Sequence, residues 1–304
     1  MDPVPDATTP TQSDRGLASA NPRLAADQTL QAWNDFLSAI DGVDIDAPTR
    51  LKKTPARSLI AKVGDWPESR QLPQILADAE LGNTEPIDQD AIDAAVVEAN
   101  ANRTRDELIE AVERSRDSLV DWLSTGDAEN HSLHEVGLQP VGSPLGSLPV
   151  LTYIHAAAFQ LAVCARDLRK AGASPPTTLA IAGLRALVDT TGALASRMGI
   201  EARFAVVTPT ASALTIASDE GWLVQDLESH TLGDDLPGLE GDLGLVIDVA
   251  AGRKNPLRRL RRNELVIHDM PGLLRLAPIA QENPGLPGGP ILRKAAGVLS
   301  VFGR

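Results

Sequence analysis

One thiol, five imidazoles and a dense run of arginines are the groups in this chain whose chemistry goes beyond packing. Cys164 is the single cysteine in 304 residues, which excludes an intramolecular disulfide and any multi-cysteine metal site. Its thiolate is a nucleophile or a zinc ligand if a cation beside it lowers the pKa. Without that neighbour, a buried cysteine is a small hydrophobe. His131-x-x-His134-Glu135 has the residue types of a metal motif, but it stands in a polar stretch with no further ligand and reads as a solvated loop. His155 lies in an apolar helical run and reads as a hydrogen-bonded core histidine. His230 and His268 are isolated, and His268 closes a β-like run with an ordinary surface role. Residues 204–252 carry nine acids and no base, whereas 253–262 carry six bases: Arg253, Lys254, Arg258, Arg259, Arg261 and Arg262. That run is either a solvated loop beside an acidic sheet or an anion-binding lip, because guanidinium forks match carboxylates.

The elements that must position these groups are written in the periodicity. Residues 1–21 are rich in Pro, Ser, Thr and Asp and read as a disordered tail. Leu30, Trp33, Phe36, Leu37 and Ile40 give a helix over about 23–41. Thr54-Pro55 reads as an N-cap and first helical residue for a helix carrying Leu59, Ile60, Val63 and Trp66. A further helix spans 72–81. Thr104-Arg105-Asp106-Glu107 is a capping box that opens a helix closed by Gly126. Residues 126–149 read as a loop. A helix from about 149 to 170, apolar nearly all round, reads as the centre of a bundle. The turn at Gly172–Pro176 is the expected domain boundary, giving a bundle over 22–173 and a smaller α+β domain over 174–304. In the latter, a helix over 178–198 precedes β-like runs at Ala202–Thr208, Ala213–Ala217, Trp222–Leu227, Leu243–Val249 and Glu264–His268. Helices near Met270–Ala280 and Ile291–Phe302 close the chain.

Composition narrows the function classes. Twenty-eight bases against 41 acids give a net charge of −13, the opposite of a nucleic-acid footprint and unsuited to docking on anionic membrane. Hydrophobic residues are 43% and aromatic residues 3%, so aliphatic side chains must fill the core. The acidic start lacks the apolar segment of a signal peptide, and the expected compartment is the cytoplasm.

Three stretches carry a family resemblance: Asp65-Trp66-Pro67-Glu68-Ser69-Arg70, the Ser143–Leu148 loop, and Gln160-Leu161-x-x-Cys164-x-x-Asp167-Leu168. Together they resemble the DinB-like four-helix bundles of the actinobacterial mycothiol-dependent maleylpyruvate isomerase family. Leu243–Val249 running into Gly252-Arg253, then Glu264–Met270, is similar to that family's sterol-carrier-like second domain. The resemblance covers roughly residues 25–280 and implies a divalent metal held by one His on the second helix and a Glu and a His four apart on the fourth. Positions i and i+4 share a helical face, so such ligands can converge. Aligned on the quoted motifs, these positions are Lys62, Gln160 and Cys164. A protonated amine cannot ligate, and Gln is a weak neutral donor for zinc.

The resemblance therefore implies a divergent member that has lost its metal centre and binds a small anionic or thiol ligand or a protein partner without catalysis. Two other readings stay open. One is a thiol-dependent isomerase or transferase with a relocated or absent metal, with His155 or Asp65 as rescuing ligands. The other is an apolar-ligand carrier using the second domain. Mycothiol and zinc are implied as cofactors only if the family activity is retained. Arg253 matches a substrate-facing arginine of the family's second domain and is the one catalytic position carried over.

Overall fold

The computed structural model describes residues 9–64, 72–125, 131–227, 232 and 236–282. The chain forms two compact units, Asn21–Leu187 and a second made of Met1–Ala20 with Val188–Arg304. The architecture is α+β. The division falls inside a helix rather than at the Gly172–Pro176 turn.

After a one-turn helix, α1 (Leu17–Ala20), the first unit begins with α2 (Pro22–Ile40). Asn21 caps α2 by accepting from the Leu24 amide at 3.0 Å, and Pro22 opens its first turn. Its inner stripe holds Trp33 and Phe36, both fully enclosed; burying each such side chain contributes roughly 1.5–3 kcal/mol. Helix α3 (Ala56–Gly64) begins differently from the sequence expectation. Pro55 pairs with Pro48, the Ala56 amide donates to Ala47 O at 3.2 Å, and the Arg57 amide donates to Ile45 O at 2.8 Å. Carbonyls of the preceding loop thus satisfy the first amides of the helix.

Helices α4 (Leu72–Glu80) and α5 (Gln89–Ala99) follow. Helix α6 (Arg105–Thr125) carries the expected capping box: the Thr104 amide donates to Glu107 Oε2 at 2.6 Å, and the Glu107 amide donates to Thr104 Oγ1 at 3.3 Å. The stretch read as a loop over 126–149 contains a short helix, α7 (His131–Glu135), and a hairpin of β1 (Pro140–Ser143) and β2 (Gly146–Pro149). Val141 faces Leu148 in that hairpin and both are buried. Four-residue strands are too short for alternation to show in the sequence, and the Ser-Pro-Leu-Gly turn residues hide them. Helix α8 (Val150–Asp167) is buried nearly all round and closes through a 3₁₀ turn, Leu168–Ala171. That turn ends at Gly172, whose φ of 106° is one side chains rarely adopt and where a Cβ would stand only 3.0 Å from Gly42 O.

Helix α9 (Thr177–Arg197) starts in the first unit, where Thr178 Oγ1 donates to Asp35 Oδ2 at 2.5 Å, and continues into the second. It is long and apolar enough to cross a membrane, but 78% of its apolar window is buried inside the protein.

The second unit holds β3 (Ala202–Val207), β4 (Ser212–Ala217), β5 (Trp222–Asp226), β6 (Gly238–Gly241) and β7 (Leu265–His268). Their order is β5-β4-β3-β6-β7, with β3 and β6 parallel and every other neighbouring pair antiparallel. Ala205 opposite Leu214, with Ile216, forms one buried cluster of this sheet. The run read as a strand at Leu243–Val249 is instead helix α10 (Leu243–Ala250). Asp242 caps it, accepting from the Leu245 amide at 3.0 Å. An apolar run buried on several sides has no period that separates strand from helix, and the cap decides it. Helix α11 (Pro256–Leu260) lies within the arginine run. The expected helix near 270–280 is split into α12 (Met270–Leu274) and α13 (Ala277–Glu282). The helix expected near 291–302 lies outside the described residues, as does Gly126. The tail reading is corrected for residues 9–20: Arg15 pairs with Trp222 and α1 buries Leu17 and Ala18.

Candidate functional site

The positions implied as metal ligands lie on α3 and α8. Cys164 is buried, and its Sγ stands 3.8 Å from Leu59 O on α3. Lys62 follows Leu59 by three residues, one turn along α3. Its Nζ forms an ion pair with Asp93 Oδ2 at 2.7 Å, and Gln89 Nε2 donates to Asp93 Oδ1 at 2.7 Å. Gln160, one turn before Cys164 on α8, is exposed. The structure therefore brings Cys164 against α3, draws the Lys62 ammonium to α5 and turns Gln160 to solvent.

Sequence reasoning missed Asp93 and Gln89 because α5 itself was missed. The signal was present: Asp88 caps α5 by accepting from the Ala91 amide at 3.0 Å. No residue of α5 is fully buried, so its apolar stripe of Ile92, Val96 and Val97 is weak. The Lys62–Asp93–Gln89 chain is one of the polar links by which this helix meets α3.

The donor set does not fit a zinc centre. A lysine ammonium has no lone pair to give, an exposed amide is a poor donor, and one thiol is not a site. Among the described residues no three of His, Cys, Asp and Glu converge. His155, one of the expected rescuing ligands, is buried on α8; the other, Asp65, lies outside the described residues. His134 is exposed and sits on a helix rather than in a loop, around the buried Leu133. The side chain of His131 and all of His230 lie outside the described residues.

In the second unit Arg253 is exposed in the turn after α10, with its amide donating to Asp248 O at 2.7 Å. Several bases of the run tie the fold together. Arg259 pairs with Glu264 at 2.5 Å, Arg262 reaches the same carboxylate at 3.7 Å, and Lys254 lies 3.9 Å from Asp248. The hydrogen bond from Arg259 holds the Glu264 carboxyl below its ordinary pKa. Asp248 itself is buried within an apolar helix and was not singled out in the sequence. His268 Nε2 stands 3.0 Å from Glu240 Oε2, joining β7 to β6.

No family model and no curated protein matches the chain. Among solved structures it is similar to the mycothiol-dependent maleylpyruvate isomerase, at 16% identity and a TM-score of 0.48 over 79% of this chain and 92% of that chain. It is also similar to a histidine-to-alanine mutant of the mycothiol-dependent maleylpyruvate isomerase, at 17% identity and a TM-score of 0.47 over 81% of this chain and 93% of that chain.

Proposed function

We propose that this chain is a non-catalytic, cytoplasmic relative of the mycothiol-dependent maleylpyruvate isomerases that binds a small anionic or thiol ligand without a resident metal. One observation carries the reading: the ammonium of Lys62 is committed to Asp93 at 2.7 Å, at the position where the resemblance requires a neutral imidazole. A dication beside that ammonium would be repelled, and Cys164 on its own cannot hold it. Thiol activation by a metal is then absent, and with it the step the resemblance implies. Arg253 is the charged group proposed to meet an anionic ligand, through its guanidinium.

The test is metal content by elemental mass spectrometry after incubation with zinc and desalting. The expected result is negligible zinc in the wild type. Stoichiometric zinc in the wild type, or thiol-dependent isomerisation of maleylpyruvate by it, would overturn the reading.

A further inference from the structure

Within the second unit, the N-terminal segment is held to the sheet by long-range hydrogen bonds. The Gly16 amide donates to Trp222 O at 2.8 Å, and the Trp222 amide donates to Asp14 O at 3.2 Å. Arg15 extends this contact by donating through its guanidinium to Glu220 O at 3.0 Å, across 205 residues of sequence. The two Trp222 bonds fall at the first residue of β5, an edge strand whose other side is taken by β4, and Glu220 lies in the turn just before it. Beneath them sits Asp189 of α9, wholly buried. Its Oδ1 accepts from the Trp222 indole Nε1 at 2.9 Å and from the Leu17 amide at 3.2 Å. One carboxylate oxygen thus joins the sheet and the N-terminal segment. Gly16 takes a φ of 55°, and a Cβ there would collide with the Trp222 indole and the Asp189 carboxylate.

The apolar hold on this segment is small. Of residues 11–20 only Gly16, Leu17 and Ala18 are buried. The contact therefore rests on directional hydrogen bonds to one edge strand and one carboxylate. Such attachments open at lower free energy than the strands beneath them. We propose that residues 11–20 are a releasable strap that closes the Trp222 end of the β5 edge and opens without unfolding the sheet. When open, it exposes the Trp222 backbone and admits water to Asp189. Open edges invite pairing with other strands, and the strap occupies the Trp222 backbone at one end of that edge.

Hydrogen exchange by mass spectrometry on the full chain tests this. Gly16→Val, strained at positive φ and in collision with Trp222, is expected to speed exchange in peptides covering 14–20 and Trp222 by about tenfold or more. Peptides covering β3 and β4 are expected to keep wild-type rates. Arg15→Ala removes only a partly exposed guanidinium contact and is expected to give a rise of roughly threefold, confined to the same peptides. Unchanged rates at 14–20 in Gly16→Val would overturn the proposal. So would β3 and β4 exchange rising in step with the strap in Arg15→Ala, because the segment would then be an inseparable part of the sheet.

Discussion

Replacing Lys62 by Met removes the cation from the α3–α5 contact while keeping a side chain of similar length. The size of the effect follows from geometry. The pair is a single 2.7 Å contact between side chains about a third exposed, at 35% and 27%. Pairs of this exposure are screened by solvent and contribute about 0.2–1 kcal/mol. Gln89 keeps one oxygen of Asp93 occupied, so the carboxylate is not left bare in the variant. Because no residue of α5 is fully buried, little else offsets the loss locally. A double-mutant cycle with Lys62→Met and Asp93→Asn is expected to give a coupling of about 0.5–1 kcal/mol, falling in high salt. By hydrogen exchange, α5 amides in Lys62→Met are expected to exchange about two to five times faster, with α8 unaffected. Zero coupling together with unchanged α5 exchange would refute the assignment of Lys62 to Asp93.

Two further predictions rest on single interactions. Glu107 has its carboxyl held below the ordinary range, first by the Thr104 amide and then by the Thr104 hydroxyl. A depressed folded pKa stabilises above the unfolded pKa, and the contribution is lost as pH falls through the folded value. Thermal melts of Glu107→Gln against wild type should therefore differ near neutrality and converge in acid; a difference constant with pH would count against the charged cap. Ile154→Ala removes a fully enclosed side chain of α8 and is expected to cost about 2–5 kcal/mol by denaturant titration, with a loss under 1 kcal/mol contradicting its place in the core.

Local chemistry made much of this fold legible in the sequence. The Thr104–Glu107 box, the stripe of Trp33, Phe36 and Ile40, and the β3 and β4 runs act over a few residues, and all appear where their period and caps put them. The thinly apolar α5 escaped, since a helix held by polar contacts writes little period into its sequence. Leu243–Val249 misled because burial removed the polar face that tells a helix from a strand.

The residue types at 62, 160 and 164 were determined by the sequence alone, and with them the absence of an imidazole from those positions. Only the tertiary structure decided where those side chains go, because their partners come from elements far apart in the chain. Lys62 finds Asp93 across 31 residues, and Cys164 meets Leu59 across 105. Asp189 joins Leu17 across 172 residues, turning an N-terminal stretch with the composition of a tail into the cover of a sheet edge. Composition fixes how little such a stretch can bury; whether it is held depends on a buried acceptor that folding alone brings to it.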